Sequence, residues 1–71
     1  MLVLKVTMLE GRTTQQKAEL IRRLAEAAGR HFGVPVDEIR TIIYEVGRQD
    51  WGIGTLTAAE RDAAAGTRRD A

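Results

Sequence analysis

Two short β-type runs joined through one amphipathic helix constrain this chain more than any other feature. The first run, residues 2–9, places Leu2, Leu4, Val6 and Met8 on one side of an extended backbone and Val3, Lys5, Thr7 and Leu9 on the other. The second, residues 40–46, is rich in β-branched and aromatic side chains. About 30 residues that include a helix separate them, the spacing of a right-handed parallel crossover. Parallel sheets are normally covered on both faces. A single helix covers only one, so the second face predicts contact with another chain.

Local signals fix the rest of the unit. Glu10-Gly11-Arg12 breaks the first strand. Thr13 followed by Gln16 is a capping box, in which hydroxyl and amide each satisfy an orphan N–H at a helix start. The spacing predicts a helix from Thr14 to Phe32, with Ile21, Leu24, Ala25, Ala28 and Phe32 as its apolar stripe. Lys17, Arg22, Arg23, Glu26 and Arg30 lie largely off that stripe. Gly33 ends the helix and Pro35 keeps Val34 extended. A turn is expected at 47–50, a short glycine-rich hairpin or arm at 51–56, a helical turn or two at 58–64, and a frayed end at 66–71. The domain organisation expected is a β-α-β unit over 1–57 and a C-terminal tail over 58–71.

Size makes the need for partners sharper. The chain has 71 residues and no cysteine. Ordering each residue costs roughly 1.5 kcal/mol, and one helix on two strands barely offsets that. Disulfides and thiolate metal sites are excluded. His31, the one histidine, does not build a metal site by itself. A net charge of +1 with intermixed signs is not a nucleic-acid footprint. No apolar run approaches the ~20 residues of a membrane span. The first five residues, Met1-Leu2-Val3-Leu4-Lys5, carry neither a basic leader nor a long apolar region, so a cytoplasmic location is the expectation.

Three side chains at element ends carry the candidate chemistry: Arg12, Arg40 and Trp51. An arginine fork matches a carboxylate through two charge-assisted hydrogen bonds, and two forks from different elements suit a dicarboxylate. The plainer alternative for each arginine is a solvated side chain or a surface ion pair. For Trp51 the alternatives are burial at a subunit interface and an apolar wall beside a small planar substrate. His31 reads as a surface or capping residue and Tyr44 as packing on the sheet. No nucleophile–base pair, phosphate loop or metal constellation is present, and Gly52-Ile53-Gly54 is too short for a dinucleotide loop. Leu2 and Arg12 stand on the order of 25 Å apart along one strand. A site joining an amino end to an Arg12 therefore has to be built between chains.

The ordered set Leu9-Glu10-Gly11-Arg12, Thr13-x-x-Gln16-Lys17, Leu20-Ile21-Arg22, Pro35 with Arg40 five residues on, Ile42-Ile43-x-Glu45 and Trp51-Gly52-Ile53-Gly54 resembles the 4-oxalocrotonate tautomerase family. No single piece is specific; the ungapped set at matching spacings from about residue 2 to residue 57 is. The resemblance implies an α+β fold like that of macrophage migration inhibitory factor: a parallel two-stranded β-α-β unit with one long helix and a short C-terminal hairpin, paired into dimers and then a hexamer. It implies isomerisation of unsaturated 2-hydroxy dicarboxylates such as 2-hydroxymuconate to conjugated 2-oxo acids, in aromatic catabolism, with no cofactor or metal. In the family an amino-terminal proline is the general base. The resemblance assigns the distal carboxylate to Arg12, the 2-oxo oxygen and near carboxylate to Arg40, and to Trp51 an apolar wall that keeps the proline amine neutral. Guanidinium charge and an apolar pocket both lower an amine's pKa, and the same arginines stabilise the dienolate formed as the proton leaves.

Leu2 stands where the family has its proline. Methionine removal generally requires a small second residue, so Met1 is expected to stay, its α-amine one residue beyond the proline's place. No catalytic base is therefore expected in this chain. Leu2 leaves three readings. In the first, the chain is the proline-less subunit of a hetero-oligomeric tautomerase and a homologous partner with an amino-terminal proline supplies the base. In the second it is a catalytically diverged homo-oligomer that binds a small carboxylate. In the third it is a subunit of an unsaturated-acid dehalogenase or hydratase. Retention of Arg12, Arg40 and Trp51 without the base favours the first. Nucleic acid and membrane are not expected partners.

Overall fold

The computed structural model describes residues 1–64. The element order is β1 (Leu2–Leu9), α1 (Thr14–Phe32), a 3₁₀ turn (Val36–Glu38), β2 (Ile39–Val46), a second 3₁₀ turn (Arg48–Asp50), β3 (Gly52–Ile53), β4 (Leu56–Thr57) and α2 (Ala58–Ala64). β1 and β2 pair in parallel, with Leu2 opposite Ile39 and Leu9 opposite Val46. β3 and β4 form a two-residue antiparallel hairpin. The expected crossover, long helix and hairpin are all present, and β2 starts one residue earlier than expected. The expectation for 66–71 lies outside the described residues.

The caps of α1 form as their chemistry requires. The Gln16 amide donates to Thr13 Oγ1 at 3.0 Å, and the Thr13 amide donates to Gln16 Oε1 at 3.0 Å. Gly33 closes the helix in the left-handed region at φ 67°. Just before it the returning chain crosses the helix at Gly29, whose carbonyl accepts from the Val34 amide at 3.1 Å. A Cβ on Gly29 would stand 3.0 Å from the Val34 oxygen and 3.2 Å from Val36 Cγ1, so a side chain here would push the returning chain away by a few tenths of an ångström.

The helix covers one side of the sheet. Leu2, Leu4, Val6 and Met8 of β1 and Thr41 and Ile43 of β2 are half-buried beneath it, and Ile39 is 7% exposed. Lys17 reaches across to Glu45 at 2.8 Å. The stripe that meets the sheet includes Leu20, Leu24, Ala25 and Ala28, but Ile21 and Phe32 are exposed. This corrects the stripe read from periodicity. Two strand axes stand only about 5 Å apart while a helix is about 10 Å across, so one flank of the stripe overhangs the sheet.

The opposite face is bare. Val3, Ile42 and Tyr44 are 46%, 40% and 47% exposed. Tyr44 stands on the sheet face that the single chain leaves uncovered. Among the described residues only Ile39 and Ala58 are buried hydrophobic side chains. Such a subunit has more apolar surface than its own fold covers.

Candidate active site at the carboxyl end of the sheet

Parallel pairing brings the residues after both strands to one end of the molecule. The Glu10 amide extends the ladder by donating to the Val46 carbonyl at 2.9 Å. The Arg48 amide donates to Glu10 Oε2 at 3.3 Å, tying the second 3₁₀ turn to the loop after β1. Between these segments lies a cleft of about 450 Å³, lined by Met8, Leu9, Glu10, Gly11, Arg12, Arg48 and Trp51. Arg12 and Trp51, separated by most of the sequence, thus share one site. Arg12 also borders a smaller recess of about 240 Å³ on the helix side, with Gln16, Lys17 and Leu20.

The two cations of the larger cleft are in different states. Arg12 is exposed and, among the described residues, its guanidinium has no hydrogen-bond or ion-pair partner. Its fork is free for an anion. Arg48 donates through Nη1 to Asp62 Oδ2 at 2.7 Å. Trp51 is half-buried, and its carbonyl accepts from the Ala58 amide at 2.7 Å, so the hairpin and α2 hold the indole's backbone in place.

Arg40 lies at the other end. It begins β2 opposite Val3, and its Nη1 donates to the Asp37 carbonyl at 2.8 Å. Six residues of strand, about 20 Å, separate that level from Leu9. Within one chain the structure therefore brings Arg12 and Trp51 together and leaves Arg40 beside Met1 and Leu2. Met1 is 84% exposed. His31 joins neither end; its ring meets Phe32 edge-on at 4.8 Å. Glu10 and Arg48 are cleft residues that the reading of the sequence did not single out. The parallel register was the available signal, because it sets positions 10–12 beside 47–51.

A β-α-β subunit with an open sheet face and a cleft of arginine and tryptophan at the strand ends has the architecture of a tautomerase. Residues 1–54 match the family model described as tautomerase enzyme, and the chain belongs to that family. It is 39% identical over 58 residues to a 2-hydroxymuconate tautomerase of Pseudomonas putida, spanning 82% of this chain and 92% of the relative. It superposes on a heterohexameric 4-oxalocrotonate tautomerase from Chloroflexus aurantiacus with a TM-score of 0.78 and 53% identity, covering 84% of this chain and 97% of the other. A 4-oxalocrotonate tautomerase isozyme from Methylibium petroleiphilum gives a TM-score of 0.83 at 36% identity, covering 89% and 98%. The chain departs from the family in lacking the amino-terminal proline. Its one proline, Pro35, precedes the first 3₁₀ turn. No helix among the described residues is long and apolar enough to cross a membrane.

Proposed function

We propose that this chain is the proline-less subunit of a hetero-oligomeric 2-hydroxymuconate (4-oxalocrotonate) tautomerase. The carrying observation is the contrast within one subunit: Arg12, without a partner among the described residues, beside Trp51 in a cleft at one end, and Leu2, with no titratable side chain, at the other. The heterohexameric relative supports an assembly of unlike chains. The exposed Val3, Ile42 and Tyr44 face supplies apolar surface for such an assembly.

In the reaction the 2-hydroxyl proton leaves and the C2–O bond becomes a carbonyl. The C2=C3 π pair moves to C3=C4, and the C4=C5 π pair takes up a proton at C5, leaving one carbon–carbon double bond conjugated with the 2-oxo group. The partner's amino-terminal proline is the base that carries the proton. Arg12 holds the distal carboxylate through its fork, and Trp51 walls the substrate and excludes water. Arg40, from the amino end, holds the 2-oxygen and near carboxylate, where negative charge develops in the dienolate. Because Arg12 and Arg40 stand at opposite ends, each site combines the carboxyl end of one chain with the amino end of another.

The test is to purify this chain alone, then together with a homologous chain bearing an amino-terminal proline, and to follow ketonisation of 2-hydroxymuconate. The expected result is co-purification and activity well above that of this chain alone. A mixture no more active than its separate components sinks the proposal.

A further inference from the structure

We infer that Arg48 is a second carboxylate-binding guanidinium of the cleft, aimed by Asp62 of α2. This rests on reading the cleft as a dicarboxylate site. An arginine has donors on two edges of a planar fork. In Arg48 the Nη1 edge is engaged by Asp62 Oδ2 at 2.7 Å. Its Nη2 lies over the loop after β1, 3.9 Å from where a Cβ on Gly11 would stand, next to Arg12. Among the described residues neither Nη2 nor Nε has a partner. The one nearby carboxylate on this loop, Glu10, accepts from the Arg48 backbone amide. One edge of the fork is thus locked while the other faces the cleft beside the free Arg12.

The lock is built on a well-fixed base. Thr57 and Glu60 form a second capping box: the Glu60 amide donates to Thr57 Oγ1 at 3.0 Å and the Thr57 amide to Glu60 Oε1 at 2.9 Å. Ala58 is 3% exposed, and its amide binds the Trp51 carbonyl. α2 is therefore fastened to the segment that carries both Arg48 and Trp51. An arginine whose rotamer is fixed before binding loses less side-chain entropy when a carboxylate arrives. Asp62 is in this account a positioning residue that acts through Arg48.

The test is calorimetric binding of muconate, an unreactive diacid without the 2-hydroxyl, against sorbate, its monoacid counterpart, to the assembled oligomer. Arg48→Ala is expected to weaken muconate about tenfold and sorbate less than about threefold. Asp62→Asn is expected to weaken muconate about threefold, and to have no further effect in the Arg48→Ala background. Arg48→Lys, which keeps the charge without the fork, serves if the alanine variant fails to assemble, and should also lose diacid preference. Equal losses for both acids, no loss for either, or an Asp62→Asn effect that persists without Arg48 would overturn the inference. Arg12→Ala is the control. If it too leaves muconate binding unchanged, the dicarboxylate reading of the cleft fails; if it weakens muconate while the Arg48 variants do not, only the Arg48 inference fails.

Discussion

The two ends of the parallel sheet differ in what they present. At the carboxyl end, the segments that follow β1 and β2 converge on one cleft, where Arg12 has no partner among the described residues. At the amino end, Met1 projects into solvent, Leu2 has no titratable side chain, and Arg40 donates to the Asp37 and Ile39 carbonyls. The carboxyl end presents two guanidinium groups and an indole at one cleft; the amino end is the family's place for the base without the proline. The difference teaches that one folded subunit does not bring Arg12, Arg40 and an amino-terminal proline to a single place.

The largest effect expected comes from making the amino end like its proline-bearing relatives. Leu2→Pro, with Met1 removed, places a secondary amine at the end of β1. Tautomerase activity is expected to appear in this chain purified alone, measured as ketonisation of 2-hydroxymuconate. Continued inactivity in a correctly assembled oligomer would show that the two ends differ by more than the base. Next comes Arg12→Ala at the carboxyl end. In the mixed oligomer it should lower kcat/KM by about 30-fold, mostly through KM, because a charge-assisted fork is lost. Unchanged kinetics would move the carboxylate site away from this cleft.

A smaller change is expected midway between the ends. Thr41 faces the helix side of β2 opposite Leu4, and its Oγ1 is buried without a partner among the described residues. Thr41→Val removes that unsatisfied group at nearly constant shape and should stabilise the assembly by about 1 kcal/mol, read as a raised urea midpoint, with activity unaltered. Smallest is Glu19 on the solvent side of α1. Hydrogen bonds from Arg22, then Arg23, lower its pKa from 4.5 to about 2. The folded value lies below the unfolded one, so any stabilisation is present above about pH 4.5 and is lost as the pH falls toward 2. Both arginines are well exposed, so Glu19→Gln should shift Tm at neutral pH by no more than about 1 °C and leave catalysis unchanged.

The β-α-β unit is legible because each element has a local signal. Thr13 and Gln16 start the helix, Gly33 stops it, and β-branched residues mark β2. The side chains that overhang are harder to read. Periodicity places Ile21 and Phe32 on the apolar stripe, but the width of a two-stranded sheet decides whether one subunit covers them. Of the site, Arg12 and Trp51 are legible from their places at element ends, and the register then unites them. Arg48 and Asp62 are not, because their pairing depends on α2 folding back. The Thr57-x-x-Glu60 pattern is the one local signal that marks where that helix begins.

The division of the active site between unlike chains is tested most directly by continuous variation. This chain and its proline-bearing homologue are mixed at constant total concentration, reassembled, and assayed for 2-hydroxymuconate ketonisation at each ratio. Activity is predicted to peak near equal proportions and to vanish as the mixture approaches this chain alone. A rise in simple proportion to either chain, with no maximum between, would contradict it.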